Sequence, residues 1–148
     1  MYLTNVSNST IGRELVYELV RLGMLIDLSH TSDETASQAI DLAQKYRAPV
    51  FWSHSCARAL NDISRNVPDE LLRRIGTDED KVDGVVMLNF APFHLAPEGE
   101  GADVRKAADH VEHIANITGK KQYVTYPFLQ MSLGLTRVLF PPGQCGDW

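Results

Sequence analysis

The feature that most constrains this chain is a recurrence of short apolar runs separated by helical segments. Met24-Leu25-Ile26-Asp27-Leu28-Ser29-His30 is one run, and Val50-Phe51-Trp52-Ser53-His54 is a second. A third spans Val82 to Phe90, centred on Val85-Val86-Met87-Leu88. Apolar runs this short, bounded by turn residues, predict buried strands. Residues 11–22 set Ile11, Leu15, Leu19 and Leu22 near helical spacing, and Gly23 supplies a stop. Thr31 and Glu34 have capping-box spacing. They predict a helix over about 33–46, with Ala36, Ala39, Ile40 and Ala43 on one face and Pro49 beyond its end. Strands alternating with helices predict βα units on a parallel sheet. Continuous apolar strands predict a sheet covered on both faces.

The rest of the chain extends this pattern and then departs from it. Pro68, Asp69 and Glu70 open a short helix ending near Gly76. Pro92, Pro97, Gly99 and Gly101 mark a long loop. Residues 103–118 predict an amphipathic helix, with Val104, Ala107, Ala108, Val111, Ile114 and Ala115 sharing a face and Gly119 at its end. After Lys121 no sustained period appears, and Pro127 breaks the one strand-like start at Tyr123-Val124-Thr125-Tyr126. About three strands with flanking helices are therefore expected.

Composition narrows the function. Nineteen acidic against fourteen basic residues give a net charge of −5, with histidine neutral. That disfavours a general nucleic-acid binder. The segment Met1-Tyr2-Leu3-Thr4-Asn5 has no basic or apolar leader character, and no run approaches a membrane span. A soluble intracellular location is the default expectation. Cys56 and Cys145 form no CxxC pattern and are expected to be free thiols.

The chemistry-bearing feature is a pair of histidines. His30 ends the first strand and His54 the second, 24 residues apart, one βα repeat. Sites in α/β proteins lie at the C-terminal ends of strands. Adjacent parallel strands are about 4.8 Å apart, so two imidazoles there can converge on one ion. On position alone, a metal pair and two hydrogen-bonding histidines are about equally supported. His110 and His113, at i and i+3, form a weaker rival pair for which surface or capping roles suffice. His94 stands in the proline-flanked loop with no role assigned. Arg58 and Arg65 follow His54 on the expected rim, where arginine can clamp a carboxylate. The bland reading of each is a solvated or structural arginine. Cys56 has no argued base beyond its proximity to His54, and no GxSxG, Gly-rich phosphate loop or HExxH occurs.

At these residues the chain resembles the membrane dipeptidase family of dinuclear zinc peptidases. Five blocks carry the resemblance, in the expected order: Arg21 to His30, Ala48 to Ser55, Arg65-Asn66-Val67-Pro68-Asp69-Glu70-Leu71, Gly84 to Phe90, and Ala108 to Ile114. The resemblance covers about residues 10–121. It implies an incomplete (β/α)8 TIM barrel of about three βα units over residues 1–121, with 122–148 a divergent tail. It further implies that His30 and His54 bind the same one of two zinc ions. Arg65 resembles the arginine that binds the C-terminal carboxylate of a dipeptide substrate. His110 and His113 match family positions without a ligand role, and no residue of this chain matches a catalytic one. Metal-assisted hydrolysis of dipeptides follows as the expected activity, and some members also open β-lactam rings.

The family's other zinc site uses a His-x-Asp pair and a bridging glutamate upstream of the matched region. An Asp-Phe-Asp-Gly block is expected after the last helix, where Gln122-Tyr123-Val124-Thr125-Tyr126-Pro127 stands instead. Gln122-Tyr123-Val124 can be encoded with the intron boundary GTATGT, so the tail is expected to be translated intron or a splice product. A truncated form with little or no activity is the expectation. The alternative is a non-catalytic α/β fragment associating through exposed sheet edges, as a homo-oligomer or with another chain. A thiol- or flavin-type binding module is disfavoured by the missing Gly-rich turn.

Overall fold

The computed structural model describes residues 10–76 and 78–119. The tail from 122, with its proposed intron origin, and Cys145 lie outside the described residues. Three strands form a parallel sheet in the order β1 (Ile26–Asp27), β2 (Val50–Ser55), β3 (Gly84–Leu88). The helices are α1 (Thr10–Arg21), α2 (Asp33–Tyr46), α3 (Asp69–Leu72), α4 (Pro92–Leu95) and α5 (Val104–Thr118). Each strand leads into helical structure before the next, so the expected βα order is present.

The sequence logic holds best for α2. Ala36, Ala39, Ile40 and Ala43 are its buried residues, as their spacing predicts. Its cap differs from the capping-box expectation. Ser32, not Thr31, is the N-cap, and its side chain accepts from Thr35 N–H. The Thr31 hydroxyl instead donates back to Leu28 O at 2.7 Å, which closes the turn that leaves β1.

Packing departs from the predicted stripes in α1 and α5. In α1 Leu15 is exposed, as is Leu22 just beyond its end, while Val16 and Val20 pack on the core. In α5 the buried residues are Ala107, His110, Ile114 and Thr118, while Val104 and Ala108 are exposed. A histidine and a threonine hold core positions because both find internal partners: Thr118 Oγ1 donates to Ile114 O, and His110 is bonded on both ring nitrogens. Polarity misplaced the face because the fold satisfies those polar groups.

The sheet is covered on one face. Ile26, Val50, Trp52 and Val86 join Ile40, Leu72 and Ile114 in the main core. Burial alternates along β2 and β3, so Phe51, Ser53, Val85 and Met87 are half-buried. The expectation of two covered faces therefore fails for the described residues. Gly84 permits the close pairing of β3 with β2, because a Cβ there would meet Val50 O at 2.8 Å. The segment expected as loop after Phe90 contains α4 and a 3-10 turn at Pro97–Gly99, each with proline in its first turn.

Candidate metal centre

His30 and His54 meet at the C-terminal end of the sheet. Their Nε2 atoms are 2.8 Å apart and their rings tilt at 54°. Two local features bring them together. β1 is shorter than the sequence implies, ending at Asp27, although Leu28 N–H still bonds Phe51 O. His30 then sits in a turn at φ 66°, a left-handed conformation uncommon for residues with a side chain. In β2 the register shifts between Trp52 and Ser55. Regular alternation would put His54 on the face of Val50 and Trp52, which are 1% and 4% exposed. The irregularity spans His54 and re-aims it, a recurrent device beside functional sites.

Arg65 closes the cluster. Its Nη1 lies 2.8 Å from His30 Nδ1 and 3.1 Å from His30 Nε2, and its Nη2 is 3.4 Å from His54 O. On the other side stands Asp27. Its Oδ1 accepts from Ser29 N–H and Ser53 N–H, and its Oδ2 accepts from the Ser53 hydroxyl at 2.6 Å. Ser53 Oγ is also 2.7 Å from His54 Nδ1. Burial, and then the Arg65 charge, hold both His30 and His54 below the usual imidazole range, with Asp27 opposing. Both rings are therefore neutral at pH 7, the form that ligates metals.

Behind Arg65 lies a buried polar network that sequence reasoning missed. Asn66 Oδ1 accepts from Cys56 N–H and lies 3.1 Å from His94 Nδ1. Its amide nitrogen donates to Asn61 O and His94 O, both at 2.9 Å. Burial first, then the surrounding positive groups led by Arg65, push His94 down to about 4. His110 is also buried, against the expected surface role. It accepts from Ala57 N–H at Nδ1 and donates to Leu95 O from Nε2. His113 contacts Asp69 at 2.9 Å. The two α5 histidines thus serve separate packing roles.

Arg58 is not on the site. Its guanidinium pairs with both oxygens of Asp33 and donates to Asn66 O and Ser64 O. Cys56 is buried, donates to Asn89 O, and burial pushes its thiol up to about 12. A nucleophile needs the thiolate, so Cys56 is structural. Only the position of Asp27 and Ser53 beside the two histidines hinted at their part, since each lies within three residues of one. Asn66 carried no signal beyond its adjacency to Arg65.

The model of the membrane dipeptidase family, peptidase family M19, matches residues 4–125. The chain belongs to this family. It is 45% identical over 121 residues to an uncharacterized dipeptidase of Schizosaccharomyces pombe, covering 82% of this chain and 28% of the relative. It is 37% identical to mouse Dipeptidase 3, covering 81% of this chain and 23% of that protein. A Rhodobacter sphaeroides metallopeptidase, solved with a phosphinate mimic of the dipeptide L-Ala-D-Ala, superposes with a TM-score of 0.68 at 28% identity. That match covers 80% of this chain and 33% of the solved one. The chain thus spans about a quarter of the length of these relatives. The three-stranded parallel α/β arrangement matches part of the β/α fold of such metallopeptidases, in agreement with the expected fold class. Family membership favours the hydrolase reading over the sheet-edge alternative. Among the described residues no group of three or more His, Cys, Asp or Glu is arranged to hold a metal. Nor is any helix among them long and apolar enough to cross a membrane.

Proposed function

We propose that this membrane dipeptidase segment carries one half of a zinc dipeptidase site: His30 and His54 as ligands of one zinc, and Arg65 as the anchor for a dipeptide's C-terminal carboxylate. One observation carries the reading. Two neutral imidazole nitrogens from neighbouring parallel strands converge at 2.8 Å with a guanidinium beside them. The donor set fits the metal in kind, because neutral imidazole is a common zinc ligand. Zinc supplies Lewis-acid polarisation and activation of water near neutral pH.

The chain's own residues supply binding and orientation. Arg65 presents a planar fork suited to a carboxylate, and it sits within reach of both histidines. Its contact with His30 uses ring nitrogens that would hold a metal, and with His30 so engaged the Nη1 donor would be available to a substrate carboxylate. Asn66 holds the backbone beside Arg65 in register with β2 through Cys56. Two imidazoles are fewer than the three or four ligands zinc ordinarily takes. The chain by itself is therefore read as a weakly zinc-binding form with negligible hydrolysis, with residues 1–121 as the partial barrel and 122–148 as the divergent tail.

Zinc titration tests the site. The wild-type chain should bind zinc, and His30→Ala and His54→Ala should each abolish binding while preserving helical circular dichroism. Unchanged affinity in both variants would refute the assignment. Dipeptide hydrolysis at an enzymatic rate by the zinc-loaded chain would refute the half-site reading.

A further inference from the structure

We infer that Asp27 and Ser53 are positioning residues that hold His54 as its Nδ1–H tautomer, leaving the Nε2 lone pair for the metal. The metal part of this inference rests on the site proposed above. The tautomer part stands on geometry alone.

The argument is a count of hydrogens. Ser53 Oγ lies 2.6 Å from Asp27 Oδ2 and 2.7 Å from His54 Nδ1. A hydroxyl has one hydrogen to give, and a carboxylate only accepts. The hydroxyl hydrogen therefore goes to Asp27, and the contact with His54 requires Nδ1–H to donate. The opposite tautomer would set a ring lone pair against a hydroxyl lone pair at that distance. Asp27 cannot turn away, because its Oδ1 accepts two backbone amides, Ser29 N–H and Ser53 N–H. Ser29 Oγ supports the same corner, accepting from His54 N–H at 3.3 Å and lying 3.3 Å from Ser53 Oγ, a longer contact than the one that takes the Ser53 hydrogen to Asp27.

The shorter contacts of the cluster agree with this assignment, while the 3.1 Å approach of Arg65 Nη1 to His30 Nε2 then carries no hydrogen bond. With its proton on Nδ1, His54 accepts at Nε2, so in the metal-free chain His30 Nε2–H donates across the 2.8 Å contact and the lone pair of His30 lies at Nδ1. His30 Nδ1 is then an acceptor, and Arg65 Nη1 donates to it at 2.8 Å. The bonds run in one direction, from Arg65 through His30, His54 and Ser53 to Asp27. Metal-ligating histidines ordinarily donate their second N–H to such an oriented acceptor. Asp27 thus touches neither metal nor substrate and acts through Ser53.

Substitution of Asp27 gives a sharp test. In Asp27→Asn the two backbone amides keep Oδ1 in place, so the side-chain NH2 faces Ser53. The hydroxyl then turns to His54 Nδ1, and His54 becomes the Nε2–H tautomer, which cannot ligate through Nε2. Two-bond proton–nitrogen correlation on the labelled, metal-free 148-residue chain reads the tautomer, with His54→Ala locating the signal. Zinc affinity follows from competition with a chromophoric chelator. We expect Nδ1–H in wild type and in Ser53→Thr, reversal in Asp27→Asn, and a tautomer mixture in Ser53→Ala. Zinc affinity should fall about 10–100-fold in Asp27→Asn and Ser53→Ala, and recover in Ser53→Thr. An Nε2–H tautomer in wild type, or an unchanged tautomer in both disruptive variants, overturns the inference. Wild type with the Nδ1–H tautomer and no zinc binding supports the tautomer assignment and overturns the metal reading, so the two failures are distinct.

Discussion

Replacing Asn66 by alanine should cost this segment much of its stability. The side chain makes four hydrogen bonds, to Cys56 N, Asn61 O, His94 O and His94 Nδ1. Asn66 is 1% exposed, and Cys56, Asn61 and His94 are all buried. Each lost bond is worth about 1 kcal/mol, and a buried group left unpaired costs about 1–3 kcal/mol. Alanine fills little of the vacated space and offers no partner. A loss of about 3–5 kcal/mol follows, against a total of about 5–15 kcal/mol for ordinary domains. Asn66→Asp keeps the shape but turns an oxygen toward two carbonyl oxygens, so it should do no better. Urea unfolding followed by circular dichroism measures the change through the midpoint at constant slope. The comparison is Asp33→Ala, which removes a partly exposed ion pair with Arg58 and should cost under about 1 kcal/mol. A loss below about 1 kcal/mol for Asn66→Ala would refute the view that this network fixes the Arg65 loop.

Three further outcomes are expected. Lowering the pH from 7 toward 4 should destabilise the fold. His94 is held down to about 4 from 6.5, so the unfolded chain binds more protons in that window. The stability is fully present above 6.5 and is lost by roughly 3 kcal/mol as pH falls toward 4, with His110 depressed in the same direction. Equal urea midpoints at pH 7 and 5 would contradict this. Cys56 should resist iodoacetamide in the native chain and react after denaturation, as peptide mapping by mass spectrometry can show, because the buried thiol stays protonated. Gly84→Ala should lower the urea midpoint, because the added methyl meets Val50 O at 2.8 Å; an unchanged midpoint would contradict the close pairing of β3 with β2.

The main architecture was legible because it follows from local rules. Strand and helix alternation, the buried face of α2 and the placement of two histidines toward the C-terminal end of the sheet depend on period and spacing alone. The faces of α1 and α5 were less legible, because apolar spacing there admits more than one stripe. His110 entered the core because distant backbone groups, Ala57 N–H and Leu95 O, met its ring nitrogens, and Thr118 because its hydroxyl donates to Ile114 O one turn back. Helix caps turned on which hydroxyl reached which amide, a choice between Thr31 and Ser32 that spacing does not make.

The same division runs through the candidate site. By itself the sequence determined the family and the βα order and singled out His30, His54 and Arg65 as candidates, since these are matters of residue type and separation. It could not decide that a left-handed turn at His30 and a register shift in β2 aim both rings at one point. Nor could it bind Arg58 to Asp33 and leave Arg65 beside the histidines. Tertiary structure alone decided that Asp27 and Ser53 bracket His54. Hydrogen-bond direction depends on atoms a few ångströms apart in space, and those atoms come from strands one βα repeat apart in the chain.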